Sequence, residues 1–165
     1  MHPVHPDPTR PGEESVWNYS RPVIAEVTTA HVLIRLGGMI IAETRCAVRR
    51  LETSYRPSYY IPPEDVAPGS LVPAEDLSFC EWKGHARYFD VSAGSDCRKT
   101  AAWSYPGPTA PFTILRCHVA FYAGAMDACF VDGERVIPQP GGYYGGWITS
   151  AIAGPFKGVP RGRFW

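Results

Sequence analysis

The chain has 165 residues, enough for one domain that buries its own core without staples. Its 16 Lys and Arg balance 16 Asp and Glu, so no excess charge marks it for nucleic acid or an anionic membrane surface. With 17 Pro and 16 Gly, short elements and many turns are expected rather than long helices.

No basic-then-apolar start and no long apolar run are present, so neither a signal peptide nor a membrane span is expected and the protein reads as cytoplasmic. The five cysteines, Cys46, Cys80, Cys97, Cys117 and Cys129, are odd in number and widely spaced, unlike a disulfide framework. No CxxC pair occurs, so the paired-thiolate zinc signature is missing, and neither metal nor cofactor is expected. All but Cys80 read as small buried hydrophobes.

Residues 1–12 carry four Pro and two His and read as a disordered tail. Residues 13–22 bring Trp17 and Tyr19, an aromatic arm laid across the domain. Residues 31–36 and 39–43 are two strand-like runs split by Gly37-Gly38, which predicts a β-hairpin. Residues 46–51 suit a third strand or extended rim, with Glu43, Arg45, Arg49, Arg50 and Glu52 forming cross-strand pairs on a solvated face. The Pro-rich stretch 55–73 holds Tyr59 and Tyr60 extended ahead of Pro62, because a residue before proline is pushed out of the helical region.

Residues 85–91 alternate, with His85, Arg87, Phe89 and Val91 on one side and Ala86, Tyr88 and Asp90 on the other. Residues 93–96 form the turn and residues 97–105 return as the partner strand, which puts Trp103 and Tyr105 on one face as an aromatic floor. Residues 112–118 are the best short-helix candidate. Residues 126–131, the turn Asp132-Gly133 and residues 134–136 predict a second hairpin. The Gly- and aromatic-rich segment 139–165 offers no regular structure. It is too apolar for a disordered tail, so it is expected to wrap over the sheet or a neighbouring subunit.

Chemistry concentrates in residues 79–106. Cys80 near Lys83 is a candidate nucleophile, since a cation lowers a thiol's pKa, although no base is evident beside it. Lys83-Gly84 offers an ammonium and a backbone N–H to an anion; the plainer reading is that Gly84 allows an awkward backbone angle. Gly141-Gly142 and Gly145-Gly146 lack the Lys-Ser/Thr of a phosphate loop, and no HExxH or GxSxG occurs. Tyr59, Tyr60, Trp82, Tyr88, Trp103 and Tyr105 supply aromatic surface for a flat or cationic small molecule, or for an ordinary core.

The run Cys80-Glu81-Trp82-Lys83-Gly84-His85-Ala86-Arg87-Tyr88-Phe89 resembles the Cys-(Pro/Glu)-(Tyr/Trp)-Lys-Gly-x-Ala-x-Tyr-(Trp/Phe) signature of the domain of unknown function 427 (DUF427) family. Ala102-Trp103-Ser104-Tyr105-Pro106 resembles its Ala-Trp-x-Tyr segment. Leu51-Glu52-Thr53, the Tyr60 to Val66 run and Val131-Asp132-Gly133-Glu134 look like three further family segments. The similarity spans roughly residues 17–138, so residues 13–138 are expected to form the family domain, with 139–165 wrapped on it. It implies a mostly β fold of compact antiparallel sheets of the β-tent type, with one or two short helices. Relatives of that fold often hold zinc through two CxxC pairs, which this chain lacks. The family's nucleotidyltransferase-like label finds no paired-carboxylate motif here. By position the resemblance marks Glu52, Tyr60, Cys80, Lys83, Tyr88, Trp103 and Tyr105 as residues ringing one pocket.

The first functional expectation is a small-molecule binding domain, with Trp103 and Tyr105 as floor and Lys83, Glu52 and Arg50 as polar contacts. The second is an enzyme using Cys80 or Glu52 in the same pocket. The third is an interaction module that docks a peptide or a second copy in a homodimer. Nucleic acid and membrane partners are not expected.

Overall fold

The structure is a computed structural model; it describes residues 5–19, 23–52, 55–80, 84–138 and 146–154. It is mostly β, built from antiparallel sheets with short 3-10 turns between strands. The N-terminal arm gives β1 (Glu14–Ser15) and a 3-10 turn, Val16–Asn18, capped by the Ser15 side chain on the Trp17 N–H. The arm buries Ser15 and Val16, while Trp17 and Tyr19 are half-buried. β2 (Ile24–Val27) follows. β3 (Val32–Leu36) and β4 (Met39–Thr44) form the hairpin expected at Gly37-Gly38, both of which take positive φ as a tight turn requires.

β5 (Val48–Leu51) and β6 (Ser58–Ile61) come next. β7 (Leu71–Cys80), β8 (Gly84–Ala93) and β9 (Asp96–Ser104) then run as a meander, the last two joined by the turn the sequence indicates. β10 (Val119–Phe121) is short and wholly buried. β11 (Ala128–Val131) and β12 (Glu134–Arg135) make the second hairpin around Asp132-Gly133. β13 (Ile137–Pro138), β14 (Trp147–Ile148) and β15 (Ile152–Ala153) close the described chain.

Two main sheets result. One has seven strands in the order β2-β5-β6-β10-β9-β8-β7, and the other four in the order β12-β11-β3-β4. Alternation decides what lies between them. Val32, Ile34 and Leu36 of β3 share a core with Tyr59, Ile61, Val91, Val119 and Phe121 of the larger sheet. β5 therefore joins the larger sheet rather than extending the first hairpin.

Two expectations change. The short helix expected at residues 112–118 is a 3-10 segment that starts and ends earlier, at Ala110–Leu115, and Cys117 at φ 58 ends any continuation. Cys46, Cys97 and Cys117 are exposed and only Cys129 is buried among the cysteines whose side chains are described. The reason is position: Cys46 follows the end of β4, Cys97 stands near the tip of the β8–β9 hairpin, and Cys117 occupies a turn.

Within the C-terminal segment, residues 146–154 do supply short strands. β14 pairs with β13 and β15 runs parallel to β1. Trp147 anchors them: it is 1% exposed, stacks on Tyr59 at 5.1 Å, and donates its indole N–H to the Phe121 carbonyl at 3.1 Å. No described helix is long and apolar enough to cross a membrane.

Candidate functional site

The outer face of the seven-stranded sheet carries a second, smaller apolar cluster. Its register lines up residues far apart in sequence. Val48 on β5 is opposite Tyr60 on β6, Tyr60 opposite Ala120 on β10, Ala120 opposite Trp103 on β9, and Trp103 opposite Tyr88 on β8. Opposite residues in a sheet present their side chains to the same face. Tyr60, Trp103 and Tyr88 thus form one aromatic row, spaced by the small Ala120.

The row is tightly joined. The Tyr60 and Trp103 rings meet edge-to-face at 6.2 Å and 87°, and the Trp103 indole N–H donates to the Tyr60 hydroxyl at 3.3 Å. Tyr105 lies 6.3 Å from Tyr60, and Tyr122 lies 4.5 Å from Trp103. Tyr60, Trp103 and Tyr105 are buried, under a cover that includes Phe112 and Leu115 of the 3-10 segment and Val23. Tyr105 is held by the chain's return, its carbonyl accepting from the Cys117 N–H at 3.1 Å. Tyr88 and Tyr122 are only partly buried and form the accessible edge. Burial raises the Tyr122 pKa, with the Tyr88 phenol adding to the effect, so Tyr122 stays a neutral hydroxyl at physiological pH.

The polar residues sit one step along the same face. Arg50 is opposite Ala25 and Ser58. Its guanidinium donates to Glu52 at 2.5 Å and lies 5.3 Å from the centre of the Tyr55 ring. The two charged side chains are 15% and 21% exposed, withdrawn from bulk water yet still open at the surface. Arg50 Nε, like Arg49 Nε, is buried and without a hydrogen-bond partner among the described residues.

Of the residues singled out in the sequence, Arg50, Glu52, Tyr60, Tyr88, Trp103 and Tyr105 come to this one face. Trp103 and Tyr105 are interior members of the cluster more than an open floor. Glu52 is already engaged by Arg50. Lys83 and Trp82 lie outside the described residues. The Cys80 backbone ends β7 opposite Gly84, and its side chain lies outside what is described. Among the described residues no group of three His, Cys, Asp or Glu could hold a metal ion.

Sequence reasoning missed Tyr122, Ser58, Ala120 and Tyr55. The period-two rule finds Tyr122 from Ala120, and Ser58 from Tyr60, once β10 and β6 are placed. Tyr55 carries no such signal, because it stands in a loop.

The model of the domain of unknown function (DUF427) family matches residues 24–132, well over half of the chain. The chain belongs to the DUF427 family. No curated protein matches it. The family match takes in β2 to β11, and so every strand of the aromatic face. The arm before it and the Trp147 segment after it lie outside the match.

Proposed function

We propose that this DUF427 protein is a small-molecule binding domain whose ligand is a flat ring packed against the edge of the aromatic face. The observation that carries the reading is the alignment of Tyr60, Trp103 and Tyr88 across β6, β10, β9 and β8, with the Arg50–Glu52 pair beside it. Apolar aromatic surface with a few placed polar groups is what small-molecule sites are made of. Folding alone accounts for a buried Trp; it gives less reason for two phenols left half-exposed at the edge of the same row.

Tyr88 and Tyr122 would contact the ligand, since they are the half-exposed members. Trp103, held by Tyr60, would stiffen the surface behind them. A fragment screen by saturation-transfer NMR tests this. Planar fragments should bind the wild type and lose binding in the Tyr88→Ser/Tyr122→Ser double variant. Undiminished binding to a folded double variant would place the site elsewhere.

A further inference from the structure

Two segments outside the family match, the N-terminal arm and residues 146–154, hold each other. β1 runs parallel to β15, with Glu14 opposite Ile152 and Ser15 opposite Ala153. The Glu14 N–H donates to the Ala151 carbonyl and the Asp7 N–H to the Gly154 carbonyl, both at 2.7 Å. A two-stranded pair this short is not stable alone, so each segment needs an anchor on the domain.

The two anchors are neighbours. The arm is fixed through Glu14, whose carboxylate accepts from the Arg49 guanidinium at 2.8 Å and from the Tyr19 hydroxyl at 3.1 Å. Arg49, 13% exposed, also donates to Glu26 at 3.1 Å. The C-terminal segment is fixed through Trp147, which stacks on Tyr59 and donates its backbone N–H to the Pro57 carbonyl at 2.9 Å. Arg49 on β5 stands opposite Tyr59 on β6, and opposite residues share a face. The contacts therefore close a ring. It runs from Glu14 to Arg49, across to Tyr59, on to Trp147, and along the segment to Ala151 and back to Glu14. Tyr60 faces the other way from Tyr59, into the aromatic row, so the ring bears on β6 directly behind that row.

We propose that the arm and residues 146–154 form one clasp, which opens and closes as a unit over β6 while the family domain stays folded. Segments with few buried side chains and short ladders open at lower free energy than a core. Among the described residues of the arm only Ser15 and Val16 are buried, and β1, β14 and β15 have two residues each. Because the ring is closed, loosening either anchor loosens the other.

Hydrogen exchange of the full chain, followed by NMR, tests this. Glu14→Ala removes the arm's anchor at a half-exposed site. It should speed exchange of the Trp147 backbone and indole N–H groups about fivefold, and of the Asp7 N–H by the same factor. Trp147→Phe weakens the other anchor and should speed exchange at Asp7 and Glu14. The Ala67 and Tyr122 N–H groups, bonded to the Ile41 and Ala101 carbonyls inside the family domain, should keep their rates in both variants. Loosening confined to the mutated segment would overturn the proposal, since the two segments would then open independently. Equal acceleration at Ala67 and Tyr122 would overturn it too, because opening would then be global. So would unchanged rates throughout Glu14→Ala.

Discussion

Trp103 and Tyr60 touch across a strand that neither belongs to. Trp103 is on β9 and Tyr60 on β6; β10 runs between them, and Ala120 is the residue opposite both. The rings meet at 6.2 Å only because Ala120 has no side chain beyond Cβ to keep them apart. Ala120 is 1% exposed, so it has no free space to grow into. Ala120→Leu should overpack the cluster and cost about 1–3 kcal/mol. Thermal or urea unfolding checks this, and near-ultraviolet circular dichroism should show the loss of the Tyr60–Trp103 arrangement.

Tyr60→Phe tests the hydrogen bond between the two side chains. It removes the acceptor and leaves the buried Trp103 indole N–H without it. The expected loss is about 1–3 kcal/mol, set by the unsatisfied donor more than by the modest net strength of the bond. Equal stability of the variant in urea would mean that the indole finds another acceptor.

Gly37 and Gly38 share a turn but should respond differently. Both have positive φ, so alanine strains either position. At Gly37 a Cβ would also meet the Ala93 carbonyl oxygen and an Asp96 carboxylate oxygen, each at 2.9 Å; at Gly38 it would meet nothing within 4 Å. Gly38→Ala should cost about 1 kcal/mol. Gly37→Ala should cost clearly more, because the β3–β4 and β8–β9 hairpins must move apart. Urea midpoints of the two variants give the comparison.

Asp90 links pH to the shape of the larger sheet. Its carboxylate accepts from the Thr100 N–H at 2.8 Å and from Lys99 Nζ at 3.3 Å. Thr100 sits at φ 50, an unusual angle for a β-branched residue, where the β8–β9 register shifts. The Thr100 N–H, then Lys99, holds the Asp90 pKa below its ordinary value. A carboxylate depressed in the folded state adds stability above its unfolded pKa, and loses it as pH falls through the folded one. Acidification below the ordinary Asp range should therefore weaken the wild type more than Asp90→Asn, which accepts the same bond without titrating. Parallel acid-unfolding curves would contradict this.

The cysteines give a labelling pattern. Cys46, Cys97 and Cys117 are exposed, while burial pushes the Cys129 thiol up to about 12. Iodoacetamide at neutral pH should alkylate the three exposed thiols and spare Cys129 until the protein is unfolded. Peptide mapping by mass spectrometry reads the result.

Much of the fold was legible because it rests on local signals. Gly37-Gly38 and Asp132-Gly133 announced hairpins, and alternation in residues 85–91 placed Ala86 and Tyr88 on one face and Phe89 and Val91 on the other, as found. Non-local pairing was not legible. Nothing in residues 46–51 says that β5 leaves the first hairpin for the larger sheet, and nothing near Trp147 names Tyr59 as its stacking partner. The cysteines were misread because burial was inferred from residue type, whereas position in a turn decided it. At the candidate site, Trp103 and Tyr105 were assigned a common face by their spacing. That Ala120 brings Tyr60 to Trp103 depends on a strand order no spacing rule supplies. The Arg50–Glu52 pair was expected as two separate ligand contacts, and two residues apart on one strand edge they bind each other first.

The most direct test of a binding aromatic face is the Trp103 indole N–H resonance, followed in a proton–nitrogen correlation spectrum as a planar fragment selected in the screen is added. The indole is fixed to Tyr60 and touches Tyr122, so a ring seated at this edge must change its surroundings. A saturable shift of that resonance, together with the Tyr88 and Tyr122 amides, is the predicted result. Saturable shifts confined to other parts of the protein, with the Trp103 resonance unmoved, would contradict the account.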